Sequence, residues 1–476
     1  MADRENKICA RIYIEISGKL ASPLLTGSGE EELTDMDLLM TESGIPLISG
    51  STLAGSLRSF VEKKSGIQKA EDLFGTSGWG IDVEKQKQPE EIEYQSRIMV
   101  YDTLLKEAYV TRRDGVRLDE YKTSGNGQKY DMQVVETGAG YFMRLEIVIR
   151  EQQVKAAGGI KEAIATDLNR VKRCIDGIAL GDLTLGAKAS RGFGRLEVCE
   201  AGYQIFRMDD EKDFYNWLDW NWDTMSAIES GNKWDLKDMG IAAESSMHCL
   251  CIPLKIRNTL LIRQYSASPW RESDNRENCL ASGYGQLMLH NGNAVIPGST
   301  WAGAIRSYLA VRINEYMGYD SWRKAQEALD PYFGTWTQEI GTEERIASRL
   351  VIGESVIKGG HLQPAIRTSV DRFTGGASKG ALFDEAFWVQ GNVDLEIRWS
   401  EDRWEKEEQD VLLGLLSWAA YGLQNGLLAV GGETGAGRGI FEPAGAVHLD
   451  SSELTQPGDY LKAAAEWCRR LKEAEV

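Results

Sequence analysis

Three sets of residues in this chain combine types and spacings that could do chemistry. The first is a hydroxyl pair ahead of an arginine, present twice: Ser51 and Thr52 before Arg58, and Ser299 and Thr300 before Arg306. Each pair opens an amphipathic run, so it reads as a helix start. Free backbone N–H groups, two hydroxyls and an arginine about two turns in suit a phosphate. The same residues also read as a capped helix in which Gly55 or Gly303 allows close packing. The second set is two glycine-rich stretches, GAKASRGFG (186–194) and GGETGAGRG (431–439), carrying Lys188, Arg191 and Arg438. Glycine lets backbone amides approach a ligand closely, and the cations could follow a charged strand; a tight helix-to-strand turn accounts for the composition as well. The third is the loop GSGEEELTDMDLLMTESGIPLISGS (27–51), with Asp35 and Asp37 in a polar setting. A carboxylate there could bind a divalent ion or position a hydroxyl for attack on a neighbouring phosphate, or be a plain solvated loop acid. The second half has Gly283 and Gly285 in the corresponding place, with Asp274 further upstream.

Other chemistries fall away. GxxxxGK[ST] is absent, and GAGRG is not GxGxxG after a strand, so no nucleotide or organic cofactor is expected. His248, His290, His361 and His448 sit apart, which disfavours a histidine acid-base site. His248, Cys249 and Cys251 alternate along an apparent strand without a second ligand pair, which disfavours zinc. The seven cysteines are scattered without a CxxC pair, and the N-terminus has no signal-peptide pattern, so a cytoplasmic location is expected. No apolar run is long enough to span a bilayer, and no membrane partner is expected. The net charge of −18 opposes wholesale binding of a polyanion, because phosphate affinity comes from Lys and Arg. Much of the excess acid lies in segments such as 208–223 and the ends, so a basic face on an acidic body is expected.

The elements that must hold these residues come in two copies. ISGSTLAGSLRSF (48–60) matches IPGSTWAGAIRSY (296–308) at a constant offset. LFGT (73–76) is then followed by SRIMVYDTLL (96–105), and YFGT (332–335) by SRLVIGESVI (348–357), before the two glycine-rich stretches. At 476 residues the chain exceeds what one core usually supports, and the repeat divides it into 1–206 and 246–450. An acidic, tryptophan-rich connector (207–245) and a C-terminal helix (451–476) complete it. Each half reads as a strand (8–17; 248–258), an amphipathic helix (51–64; 299–316), a strand (96–104; 348–357), a polar excursion, a strand (141–150; 387–398), a helix (160–180; 403–423) and a closing strand (193–206; 439–448). That β-α-β-β-α-β order is an α+β, split ferredoxin-like arrangement, here twice in tandem.

Taken as a series, the loop Asp, G-I-P-L-I-S-G-S-T-L-A-G-S-L-R, F-G, S-R-I and R-G-F-G-R resemble the RAMP superfamily, in particular the backbone subunits of type III CRISPR effector complexes. R-T-S-V-D-R-F-T-G-G-A-S-K-G-A-L-F (367–383) is similar to that family's approach to its thumb hairpin. The resemblance implies tandem RRM-like cores with thumbs at 110–137 and 361–386. It implies guide-RNA contacts from Ser51, Thr52, Arg58, Lys188 and Arg191 in the first repeat, and from Ser299, Thr300, Arg306 and Arg438 in the second. It also implies endoribonuclease action on single-stranded target RNA with Mg²⁺ or Mn²⁺, Asp35 as the metal-binding and catalytic acid, and Asp37 as the near alternative. Lacking an acid at Gly283, the second repeat is not expected to cut. Other subunits of the ribonucleoprotein are the expected partners.

Overall fold

The computed structural model describes residues 7–29, 33–76, 95–119, 128–236, 247–264, 284–318, 322–335, 345–455 and 457–473. The first repeat contains β1 (Ile8–Leu20), α1 (Gly50–Ser65), β2 (Ile98–Val100), hairpin arms β3 (Val110–Val116) and β4 (Lys129–Val135), β5 (Gly140–Arg150), α2 (Ile160–Leu180) and β6 (Leu196–Arg207). The second contains β7 (Met247–Ile256), α3 (Gly298–Met317), β8 (Leu350–Ile352), hairpin arms β9 (His361–Val370) and β10 (Ala377–Val389), β11 (Asn392–Ser400), α4 (Lys406–Gln424) and β12 (Phe441–Pro443), followed by α5 (Pro457–Glu473).

Both sheets are antiparallel with one spatial order, β2–β5–β1–β6 and β8–β11–β7–β12. Two α+β, ferredoxin-like units therefore lie in tandem. Alternation along the strands makes each inner face: Ile12, Ile14 and Ile16 in β1, and Leu250, Ile252 and Leu254 in β7, are fully buried. Leu53, Leu57 and Val61 of α1 meet Val171, Ile175 and Ile178 of α2 over the first face. Trp301, Ile305 and Leu309 of α3 meet Leu412, Leu416 and Leu423 of α4 over the second. Two separate apolar clusters result, and α5 adds Ala464 and Cys468 to the second.

Several boundaries differ from the sequence reading for local reasons. The strand read over 96–104 breaks after Val100, where Asp102 turns to accept a hydrogen bond from Gly50 N at 2.7 Å. The strand read over 387–398 is two strands joined at Gln390 and Gly391, both at positive φ. The closing strand read over 439–448 is interrupted after Pro443 and pairs again with β7 only at His448–Leu449. Among the described residues, no helix is long and apolar enough to cross a membrane.

Candidate nucleic-acid interface

The glycine-rich loop of the first repeat is held as a rigid shelf. Ala187 N donates to Leu25 O and Gly194 N to Pro23 O, each at 2.8 Å. Between them Lys188 (φ 61°) and Gly192 (φ 81°) flank a single 3-10 turn, Ala189–Arg191. This shelf presses on the second repeat. A Cβ on Gly192 would lie 2.4 Å from Gly353 Cα, and one on Gly298 would lie 2.5 Å from Arg191 O and 2.0 Å from Ile352 O. Both glycines are there because backbone passes where a side chain would stand. The contact encloses a cavity of about 210 Å³ lined by Tyr130 and Met132 of the hairpin, Lys188, Ser190, Arg191 and Phe193 of the loop, and Ser299 at the start of α3.

The cavity is cationic and short of acceptors. Arg191 Nη1 is buried with no hydrogen-bond partner among the described residues, and burial pulls its pKa below the usual value. Lys188 Nζ lies 3.3 Å from Tyr130 Oη and 4.4 Å from the centre of its ring. No side chain caps α3, whose preceding residue is Pro297. A phosphate placed here would meet helix-terminal N–H groups, an unsatisfied guanidinium and an ammonium together. A buried ion-pair triad fixes the junction: Arg113 of β3 lies between Glu136 and Glu354, and is 3% exposed. Burial opposes its charge, but the Glu354 and Glu136 carboxylates outweigh this and raise its pKa.

The structure thus brings Lys188, Arg191 and Ser299 into one site spanning both repeats, where the sequence reading had divided them between two. Thr300 follows Ser299, half-buried on the first turn. Ser51, exposed, and Thr52, half-buried, open α1 and do not line this cavity. The cap of α1 is Ser49: its Oγ accepts from Thr52 N at 3.2 Å and lies 2.9 Å from both Ser51 Oγ and Thr52 Oγ1.

The repeated arginines, expected as RNA contacts, make their described contacts within the fold. Arg58 Nη1 donates to Gly75 O. Arg306, 9% exposed, donates to Gly334 O at 2.6 Å, Gln326 O at 2.8 Å, Gln326 Oε1 at 2.7 Å and Asp330. Both tie the first helix to the F-G-T turn, which explains two recurring motifs at once and leaves these guanidiniums bound within the fold. Arg438 is 7% exposed, pairs with Glu385 and with Glu433 at 3.0 Å, and lies 3.8 Å over the Phe387 ring, while its Nη1, like that of Arg191, is buried without a hydrogen-bond partner among the described residues.

The two loop acids separate clearly. Asp37 is buried, and its carboxylate accepts from Leu33 N at 2.9 Å, Thr34 N at 2.8 Å and Thr34 Oγ1 at 2.7 Å. It folds the loop rather than facing a ligand. Asp35 is exposed and held to the hairpin arm β4: Asp35 N donates to Asp131 Oδ1 at 3.0 Å, and Asp131 N to Asp35 Oδ2 at 2.8 Å. Asp131 is in turn neutralised by Arg112. Among the described residues, no three His, Cys, Asp or Glu side chains converge on a metal position. Among the described residues Asp35 alone does not fit a resident ion, and a divalent cation here would need further oxygens such as those of phosphates brought with the ligand. Asp274 and Gly283 lie outside the described residues, and Gly285 is in a strand pairing with Gln264.

Tyr130 and the Arg113 triad escaped the sequence reading because they are long-range contacts. Phe373 also escaped it, although the R-F-T-G-G turn carried a signal. It is 95% exposed at the tip of the β9–β10 hairpin, where Asp371 Oδ1 accepts from Phe373 N at 3.0 Å and Thr374 N at 2.7 Å.

Comparison with known proteins gives the family. No curated protein matches the sequence. Among solved structures, one similar chain comes from the "Cryo-EM structure of the Type III-B Cmr-beta bound to cognate target RNA". Identity is 14% and the TM-score 0.29, over 41% of this chain and 61% of that one. The match therefore spans less than two thirds of that chain, and the likeness is too distant to carry function across. The RAMP superfamily matches residues 19–197 and 282–442. Each stretch contains one helix start, one hairpin and one glycine-rich loop, and together they take up most of the sequence: the protein belongs to the RAMP superfamily.

Proposed function

We propose that this chain is a backbone subunit of a type III CRISPR interference complex, which holds guide RNA across its two repeats and cleaves paired target RNA from the first. The observation that carries the reading is the buried Arg191 Nη1, without a hydrogen-bond partner among the described residues, on a side chain that lines a cavity with Lys188 and Ser299. Such a site recognises sugar-phosphate backbone and leaves base pairing to read sequence. The hairpins fit the role of wedges into a duplex, most directly through the exposed ring of Phe373. In the cleavage step a target 2′-hydroxyl attacks its own phosphorus, the bond to the 5′-oxygen breaks, and a cyclic phosphate and a 5′-hydroxyl remain. Asp35, held against the arm of the first hairpin, positions that hydroxyl, whose proton is lost as the departing 5′-oxygen gains one, and Mg²⁺ or Mn²⁺ brought with the RNA would supply charge beside the phosphate.

The test is expression of the full chain with a guide array and its partner subunits. A short RNA of defined length should copurify, and complementary RNA should be cut when Mg²⁺ or Mn²⁺ is added. Asp35→Ala should remove one product while RNA binding persists; undiminished cutting refutes the assignment. One observation favours a second reading, a scaffold that binds guide without cutting. Asp35 is tied at both its N–H and its carboxylate to Asp131, a bracing role by itself. A complex that retains RNA yet never cuts a complementary strand would decide for the scaffold.

A further inference from the structure

The two repeats use the outer face of the sheet differently. Their strand registers place Tyr13 on Cys249, Glu15 on Cys251, Arg144 on Glu396, Glu146 on Arg398 and, beside them, Tyr101 on Gly353. In the second repeat this face receives the first repeat. Gly192 sits against Gly353, Lys63 Nζ donates to Ser400 Oγ at 3.0 Å, and a Cβ on Gly181 would lie 3.2 Å from Arg398 Nη1.

In the first repeat the same face is covered by the connector. Trp217 Nε1 donates to Tyr13 Oη at 3.0 Å, and Ser226 Oγ donates to Glu15. The Trp222 ring lies 5.4 Å from that of Tyr13, 6.2 Å from that of Tyr101, and 5.1 Å from the Arg144 guanidinium. Strand β1 is consequently buried on both faces, Glu15 being 1% exposed and Tyr13 7%, whereas Cys249 and Cys251 are only half-buried. The donor element behaves in the opposite way. Gly437 occupies in the second loop the place of Gly192 in the first, it is exposed, and a Cβ there would meet nothing within 4 Å among the described residues.

We infer that connector residues 211–230 form a built-in cap, closing on the first repeat the face by which the second repeat accepts a neighbour. Growth of the assembly by this contact is therefore one-directional. The loop of the second repeat is open to a partner that presents a bare sheet face with a small residue at the Gly353 position, and the first repeat can accept no further copy. The inference rests on internal symmetry and not on the RNA reading, so either can fail alone.

RNA-free, full-length protein is compared by light scattering over a concentration series with the Tyr101→Gly/Trp217→Ala/Trp222→Ala variant. The cap predicts one copy at every concentration for the natural chain. For the variant it predicts a mass that climbs to roughly two copies or more, as open head-to-tail contacts do. Adding Gly435→Trp, which places bulk on the free loop, should return one copy. A natural chain that already associates through that loop, or a folded triple variant that stays single, overturns the inference. Tyr101→Gly alone, the milder change should the triple variant not fold, keeps both indoles over the face and must stay single; its association would overturn the cap equally.

Discussion

The two glycine-rich loops share a backbone and differ in charge. Lys188 (φ 61°) corresponds to Glu433 (φ 56°), and Gly192 (φ 81°) to Gly437 (φ 84°); a 3-10 turn lies between each pair. Gly194 N donates to Pro23 O and Gly439 N to Thr259 O, both at 2.8 Å. In this register Arg191 faces Ala436, and Arg438 takes the place of Phe193, so the two arginines are not counterparts. The first loop offers Lys188 and Arg191 to a cavity, whereas Glu433 of the second is engaged by Arg438 at 3.0 Å, Arg263 at 3.4 Å and Arg367. The loop's shape thus belongs to the fold, while on the proposed reading its capacity to hold a polyanion depends on two side chains and on whether another repeat closes over it.

The comparison can be broken in four ways, in descending size of effect. Arg113→Ala leaves Glu136 and Glu354 buried without their cation and should cost about 3–5 kcal/mol in a denaturant melt. Arg367→Ala, at a half-exposed site within the second repeat, should cost much less; equal losses would remove the distinction between a tie across repeats and a tie within one. Lys188→Ala/Arg191→Ala should weaken RNA binding by roughly tenfold or more, at about 1.5–3 kcal/mol for hydrogen bonds to charged groups. The loss should be uniform across RNA sequences and flatten the salt dependence, since these are backbone contacts. Arg58→Ala, which frees the Gly75 carbonyl, should cost about 1 kcal/mol of stability and leave RNA affinity unchanged in titrations of the folded variant. Smallest of all, Glu433→Gln should raise RNA affinity by less than about threefold, since this largely buried carboxylate is already offset by Arg438, Arg263 and Arg367.

The repeat and its topology were legible because they rest on local patterns: alternating strands, amphipathic helices, and glycines where backbone passes close to backbone. Gly50 is an instance, since a Cβ there would lie 2.2 Å from Val100 O. What the recurring arginines do was not legible. Nothing in S-L-R-S-F reveals that Arg58 reaches the carbonyl of Gly75, so the recurring cation read as a phosphate ligand with no sign of this second role as a brace. The composite site was hidden for the same reason at larger scale, because each of its halves looks complete until the repeats are docked. Asp35 and Asp37 could be separated only by their hydrogen bonds, which turn one inward and leave the other exposed.

The central claim is that the junction between repeats, and not each repeat separately, grips the RNA. A photo-crosslinking residue placed in turn at Ser190, Ser299 and Gly435 of the full chain tests it directly, with the attached nucleotide mapped in each case. The account predicts strong crosslinks from 190 and 299 to the same or adjacent nucleotides and little from 435. Crosslinks from 190 and 299 at distant nucleotides, or equal capture from 435, would contradict it.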